Sequence, residues 1–202
     1  MGSLYDVNVE GIGKVGGGRY KDVNVEGITT ILDSIDAENI DAEGTLKVNG
    51  NITCTNISCE GMAVFNGSID AKEHIEFEGV IKVCGNVQGK SIDVEGVLNM
   101  DGLLSADSIS FEVSRSCNIS EIGGSNVKIE NNSFHKIGLF KRKVKVNCKV
   151  IEGDNIYLEN VECDVVRGKN ITIGPGCIID KIEYSMNIDI DKSSTVMNSI
   201  RL

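Results

Sequence analysis

Gly11, Gly13 and Gly16 stand in the spacing G-x-G-x-x-G within "DVNVEGIGKVGGGRYKDVNVEGI", residues 6–28. That spacing holds a dinucleotide pyrophosphate when a strand precedes it and a helix N-terminus follows to aim amide dipoles at the phosphate. Here the residues after Gly18 read "RYKDVNVEGI", and "DVNVEGI" repeats Asp6–Ile12 sixteen positions on. The glycines therefore lie between two copies of one strand unit, and "GKVGGGRY" reads as a loosely wound first coil or lead-in. No lysine followed by Ser or Thr completes a P-loop. The two histidines, His74 and His135, fall short of the three that a solenoid carbonic anhydrase needs around zinc.

The wider chain is built from that strand unit. Glu-Gly recurs at Gly11, Gly27, Gly44, Gly61, Gly79 and Gly96, at spacings of 16, 17, 17, 18 and 17 residues. A second glycine follows six residues later at Gly50, Gly67, Gly85 and Gly102. Between these turn markers apolar residues alternate: Ile40 and Ala42, Leu46 and Val48, Ile52 and Cys54; then Ile57 and Cys59, Ala63 and Phe65, Ile69 and Ala71. Period two, interrupted and restarted three times per unit, describes a coil with three strand faces. One such coil cannot bury enough apolar surface alone, so successive coils must stack. The expected fold is an all-β parallel solenoid of about 17 residues per coil.

Composition agrees with many short strands and tight turns. There are 202 residues with 41 % hydrophobic content, one proline, no tryptophan, 4 % aromatics and 23 glycines. Seven cysteines form no C-x-x-C pair and follow no signal peptide, which points to free thiols in a reducing, cytoplasmic setting. No apolar run approaches the ~18 residues of a membrane span. The formal net charge of -10 divides into -12 over residues 1–113 and +2 over residues 114–202. The acidic half argues against nucleic acid as the partner of the whole chain.

Regularity loosens after residue 107 and returns at "DNIYLENVECDVVRG", "KNITIGPGCIIDKIEYS" and "MNIDIDKSSTVMNSI". The organisation read from the sequence is a lead-in and partial first coil over 1–21, the regular solenoid over 22–130, a basic and apolar insertion over 131–149, and C-terminal coils over 150–202, all of one continuous solenoid. A split into two domains is the alternative.

The reiterated "VNVEG" and "AENIDAEG" units, with "VIEGDNIYLENV", "VVRGKNITIGPGC" and "IEYSMNIDID", resemble the bactofilins, the polymer-forming cytoskeletal proteins of bacteria, and most closely their longer Gram-positive members. The resemblance covers nearly the whole chain. It implies a right-handed triangular β-helix that polymerises end to end without nucleotide and scaffolds client proteins, usually at the inner face of the cell membrane. "MGSLYDV" lacks the clearly apolar N-terminal tail of many members.

Site expectations follow. Cys54, Cys59 and Cys163 occupy inward positions shared with Ala and Val and read as small core residues, whereas Cys84 in "VCGN" should be exposed. His74 opens "HIEFEG" at the repeat position of Asn39, Asn56 and Ser91 and reads as an outward rung residue; His135 lies in the insertion. Neither is placed for acyl transfer, and the strict six-residue aliphatic repeat of solenoid acyltransferases is absent. The stacked glutamates at 43, 60, 78 and 95 read as a solvated, mutually repelling face rather than a cation site. No catalytic, metal or cofactor residue is assigned. In "SFHKIGLFKRK", Phe134, Ile137, Leu139 and Phe140 interleave with Lys141, Arg142 and Lys143, a pattern that suits an anionic lipid surface or, equally, a loop packed onto the solenoid. The last coil carries an inward pattern at Ile188, Ile190, Val196 and Ile200, and the first at Val7 and Val9. These ends are the expected polymer contacts, the chain's principal partner being itself. Residues 196–202 folding over their own coil as a cap is the alternative, as is a discrete monomer or trimer that binds a ligand or partner on one face.

Overall fold

The structure is a computed structural model, and it describes residues 4–131 and 144–202. Among these residues the chain forms fourteen strands and no helix. They are β1 Val7–Val15, β2 Gly18–Arg19, β3 Asp22–Ile31, β4 Ile35–Asp36, β5 Asn39–Val48, β6 Ile52–Phe65, β7 Ile69–Val83, β8 Val87–Gln88, β9 Ser91–Val113, β10 Cys117–Asn131, β11 Val146–Leu158, β12 Val161–Ile173, β13 Ile178–Ile190 and β14 Thr195–Arg201. Strand pairing is parallel throughout, in one sheet whose order follows the chain. The result is a β-solenoid of about 11 turns with about 17 residues per coil.

Registration is residue on equivalent residue. Val7 stands beneath Val23, Val23 beneath Ile40, Ile40 beneath Ile57, Ile57 beneath Ile75 and Ile75 beneath Ile92. The period-two pattern therefore becomes a set of aliphatic columns. Every residue that the alternation of the second and third repeat units points inward, from Ile40 and Ala42 to Ile69 and Ala71, is buried. Phe65 and Phe77 stack at a centroid distance of 5.8 Å and fill the interior where Cys59 and Ala63 leave room. The core is one continuous cluster from Val15 to Ile182.

Coils turn at the Glu-Gly corners because only glycine fits there. Gly79 has φ of 113°, and a Cβ at this position would lie 2.2 Å from the carbonyl oxygen of Gly61 on the coil below. The same approach repeats along the column of corner glycines, so the backbone of one coil rests directly on that of the next.

The insertion interrupts the chain but not the stack. Strand β10 pairs with β11 at an offset of 29 residues, Cys117 beneath Val146 and Val127 beneath Ile156. The sheet thus runs without a break past residues 132–143. Val146–Lys149, grouped with the insertion on sequence grounds, belong to β11, and Val7–Val15, grouped with the lead-in, pair along their full length with β3. The expected membrane-facing residues Phe134, Ile137, Leu139, Phe140, Lys141, Arg142 and Lys143, and His135 with them, lie outside the described residues.

The corner glycine and one buried hydroxyl can be tested by substitution. Gly79→Ala forces both a left-handed backbone and a clash, so a loss of roughly 2–4 kcal/mol is expected. Gly123→Ala, whose Cβ would meet nothing closer than Leu103 Cδ1 at 3.7 Å, should stay within about 0.5 kcal/mol of the parent. Thr29 is 1 % exposed, and its hydroxyl has no hydrogen-bond partner among the described residues. Thr29→Val removes that unsatisfied group at nearly constant volume and should stabilise by about 1 kcal/mol. Urea unfolding of the three variants checks these values.

Candidate functional site

The glycine-rich opening belongs to the first coil and packs against the second. Gly18 in β2 pairs with Ile35 in β4, and a Cβ on Gly17 would come within 2.7 Å of Asp33 Cβ. The Tyr20 hydroxyl donates to the Gly16 carbonyl at 3.0 Å, and its ring meets Tyr5 edge-on at 5.4 Å. Burial, with Tyr5 alongside, raises the Tyr20 pKa. The chain between Gly13 and Tyr20 closes the first coil with a bend at Gly17 and the short strand β2, and among the described residues no helix N-terminus faces these glycines.

His74 stands on the outer surface between Asn56 and Ser91, with Nδ1 3.8 Å from Asp93 Oδ2 and its side chain 41 % exposed. Among the described residues, no group of three or more His, Cys, Asp or Glu is arranged to hold a metal ion. Cys54, Cys59 and Cys163 are buried and Cys84 is exposed; Cys117, Cys148 and Cys177 are buried as well. Burial, with Asp70 and Asp36 nearby, pushes the Cys54 thiol up to about 12, and burial pushes Cys117 up to about 11. Cys163 stands in register with Cys148, whose hydrogen bond and the surrounding apolar interior push the Cys163 thiol up.

The outer surface carries side-chain ladders that alternation alone does not reveal. Asn155, Asn170 and Asn187 each donate from Nδ2 to the Oδ1 of the asparagine one coil below, at 3.0, 3.0 and 2.8 Å, starting from Asn126. Nearby, Arg167 bridges Glu183 at 2.7 Å and Glu152 at 3.1 Å, tying three coils together. Lys181 and Arg167 hold the Glu183 carboxyl below its usual range. Beside them a shallow groove of about 580 Å³ runs along Gly124, Gly153 and Gly168 to Leu202.

At the C-terminal edge Ile188 stands on Ile171, Ile190 on Ile173 and Val196 on Ile179, each over a fully buried residue. Ile188 and Val196 are half-buried against the core, and Ile190 is 38 % exposed. At the other edge Val7 and Val9 stand on buried Val23 and Val25 and are themselves half-buried. Ile200 differs from the inward reading. It stands on Glu183, and the inward position above Ile182 belongs to Ser199. The reason is a corner between Val196 and Ser199, where inward positions fall three residues apart, as they do from Ile179 to Ile182 and from Cys163 to Val166. Residues 195–201 do not fold over the last coil as a cap; they form β14, a further rung on β13.

No protein-family model matches the chain, and no solved structure does. Two Bacillus subtilis (strain 168) proteins are similar to it. YhbF, an uncharacterized protein, is 39 % identical over 103 residues, which is 50 % of this chain and 42 % of YhbF. YhbE, also uncharacterized, is 32 % identical over 106 residues, 51 % of this chain and 44 % of YhbE. The chain therefore spans less than half the length of either relative.

The buried thiols set an alkaline limit. Unfolded cysteines ionise near pH 8.5, well before Cys54 and Cys117 can do so in place, so their contribution is complete below about pH 8.5 and is lost as pH rises toward 12 and 11 respectively. At pH 10 the loss is roughly 2 kcal/mol per thiol. Urea unfolding at pH 8 and pH 10 should show the fall, and Cys54→Ala should reduce it. A thiol-specific reagent at pH 8 should label Cys84 rapidly in the native protein and the other cysteines only after unfolding.

Proposed function

We propose that this chain is a non-enzymatic scaffold that polymerises end to end through its terminal coils, without nucleotide or cofactor, in the manner of the bactofilins. Its main partner is another copy of itself. In this reading it works in the cytoplasm, associates with the membrane surface and offers its faces to client proteins, with no role for nucleic acid.

One observation carries the reading: the aliphatic columns keep their character up to the edge rungs. Ile188, Ile190 and Val196 at one edge, and Val7 and Val9 at the other, are the least covered members of columns that are otherwise buried. Among the described residues, β1 and β14 each pair on one side only. An uncovered aliphatic rung beside unpaired backbone is a template for another rung. A two-fold contact between like ends is self-complementary, and alternating with a contact between the opposite ends it propagates a filament. A second reading, a discrete solenoid that holds a partner, is favoured by the groove along Gly124, Gly153 and Gly168.

Negative-stain microscopy without nucleotide separates the two, since the first expects filaments and the second discrete particles. Ile190→Asp places a charge at the proposed junction at a cost of several kcal/mol there, and it should give small species that keep the β circular-dichroism spectrum. Undiminished filaments would move the contact elsewhere. Loss of the β signal would mean that Ile190 serves the fold.

A further inference from the structure

The Glu-Gly corner is followed by an outward residue that is apolar in five of the first six coils: Ile12, Ile28, Met62, Val80 and Val97, with Thr45 as the exception. These residues stack in register. Ile12 is 85 % exposed, Ile28 52 %, Met62 58 % and Val80 38 %, whereas Val97 is covered. The ridge is bordered on each side by a column of its own chemistry. Two residues before it runs the glutamate column, residues 10, 26, 43, 60, 78 and 95; two residues after it run Lys14, Lys47 and Lys82, interspersed with Thr30, Val64 and Asn99. Among the described residues, no ion pair holds those lysines or the glutamates at 10, 26, 43, 60 and 78.

We infer that this corner is a lateral contact with a second copy of the chain, the two solenoids lying side by side and parallel. The order across the surface is acid, apolar, base on the coils of Ile12 and Val80, and acid, Thr45, base on the coil of Lys47. A two-fold axis parallel to the solenoid axis lays ridge against ridge and sets Glu10, Glu43 and Glu78 of each copy opposite Lys14, Lys47 and Lys82 of the other. Turning one copy end over end keeps the ridges together but sets glutamates against glutamates. Charge therefore selects the parallel pair. An anionic lipid surface would meet the lysines but also the glutamate column beside the same ridge, so a surface of mixed charge fits better.

The strip is about 24 Å long over six coils and, followed along the chain round the corner, about 14 Å wide over three columns. It is small beside the ~800 Å² per partner of a stable complex. Isolated chains should pair weakly, and chains already held in line should pair strongly by repetition. The contact itself does not depend on end-to-end assembly.

Equal amounts of ¹⁴N- and ¹⁵N-labelled protein, mixed at low ionic strength and treated with a zero-length carbodiimide, test the contact directly. Mass spectrometry should find mixed-isotope links joining Lys47 or Lys82 to glutamates of the same or the adjacent rung, such as Glu43, Glu60 or Glu78. Met62→Glu combined with Lys47→Glu should lower their yield at least ten-fold, and high salt should lower it too. Absence of mixed-isotope links in the parent protein overturns the inference, whether or not the double variant folds. Links predominantly between opposite rungs, such as Lys14 to Glu78, overturn the parallel arrangement. An unchanged yield in the folded double variant overturns the role of the ridge. Binding to phosphatidylserine vesicles that Met62→Glu alone abolishes would assign the ridge to lipid and overturn it as well. In Ile190→Asp the links should persist while filaments are lost, so failure of one contact is read apart from failure of the other.

Discussion

Among the described residues each coil lies on the next with equivalent residues in register, apart from small shifts after Cys54, Ile119 and Gly168, and nearly everything else in the structure follows from that registration. Parallel in-register stacking makes each position a column of like on like. For aliphatic residues the column is favourable without further condition. For asparagine it is favourable because one amide both donates and accepts, as between Asn126, Asn155, Asn170 and Asn187. For glutamate it is unfavourable: two unit charges one rung apart repel by about 1 kcal/mol in water, and physiological salt screens much of that. The aliphatic columns behind it hold the coils together against that repulsion.

The same registration explains what could be read from the sequence. Each coil restates the one before, so the spacing of Glu-Gly and the alternation at Ile40, Ala42, Leu46 and Val48 were enough to place the core, and His74 and Cys84 were placed by their repeat equivalents. The reading fails where parity changes. Counting by twos from Val196 reaches Ile200, but the corner after Val196 takes three residues, and Ser199 points inward instead. The signal was present in "CDVV" and "IIDKI", where Cys163 and Val166, and Ile179 and Ile182, already stand three apart.

Outward positions were harder to read because alternation separates in from out but does not say which outward residues stay uncovered. Val80 and Val97 occupy equivalent positions, yet Val80 is 38 % exposed and Val97 is 6 % exposed. The difference falls where the next coil lengthens: Met100 stands beneath Ile119, nineteen residues on, instead of the usual seventeen. Exposure of an outward residue thus depends on its surroundings in the fold and not on the residue alone. Side-chain bridges such as Arg167 to Glu152 and Glu183 are also invisible in the sequence, because they join three coils whose lengths differ.

A repeat that templates its neighbour has to deal with its own edges and faces by different means. In the proposed assembly an edge contact would use aliphatic columns and backbone together. On a face the backbone is already paired, and only outward side chains remain. One rung then contributes little, and specificity must come from a pattern repeated over many rungs. The Glu, apolar and Lys columns of the early coils, complete at Glu10–Lys14 and Glu78–Lys82, have that form: each weak per rung, with a polarity that distinguishes parallel from antiparallel neighbours. Inter-coil ion pairs occur in both halves, as Arg19 to Asp36 and Lys90 to Glu73 in the early coils and Arg167 to Glu183 in the late ones. Half-buried aliphatic rungs likewise stand at both edges of the described residues, Val7 and Val9 at one and Ile188 and Val196 at the other. What sets the early coils apart is the apolar ridge between the glutamate column and Lys14, Lys47 and Lys82, which repeats over many rungs and not at an edge alone.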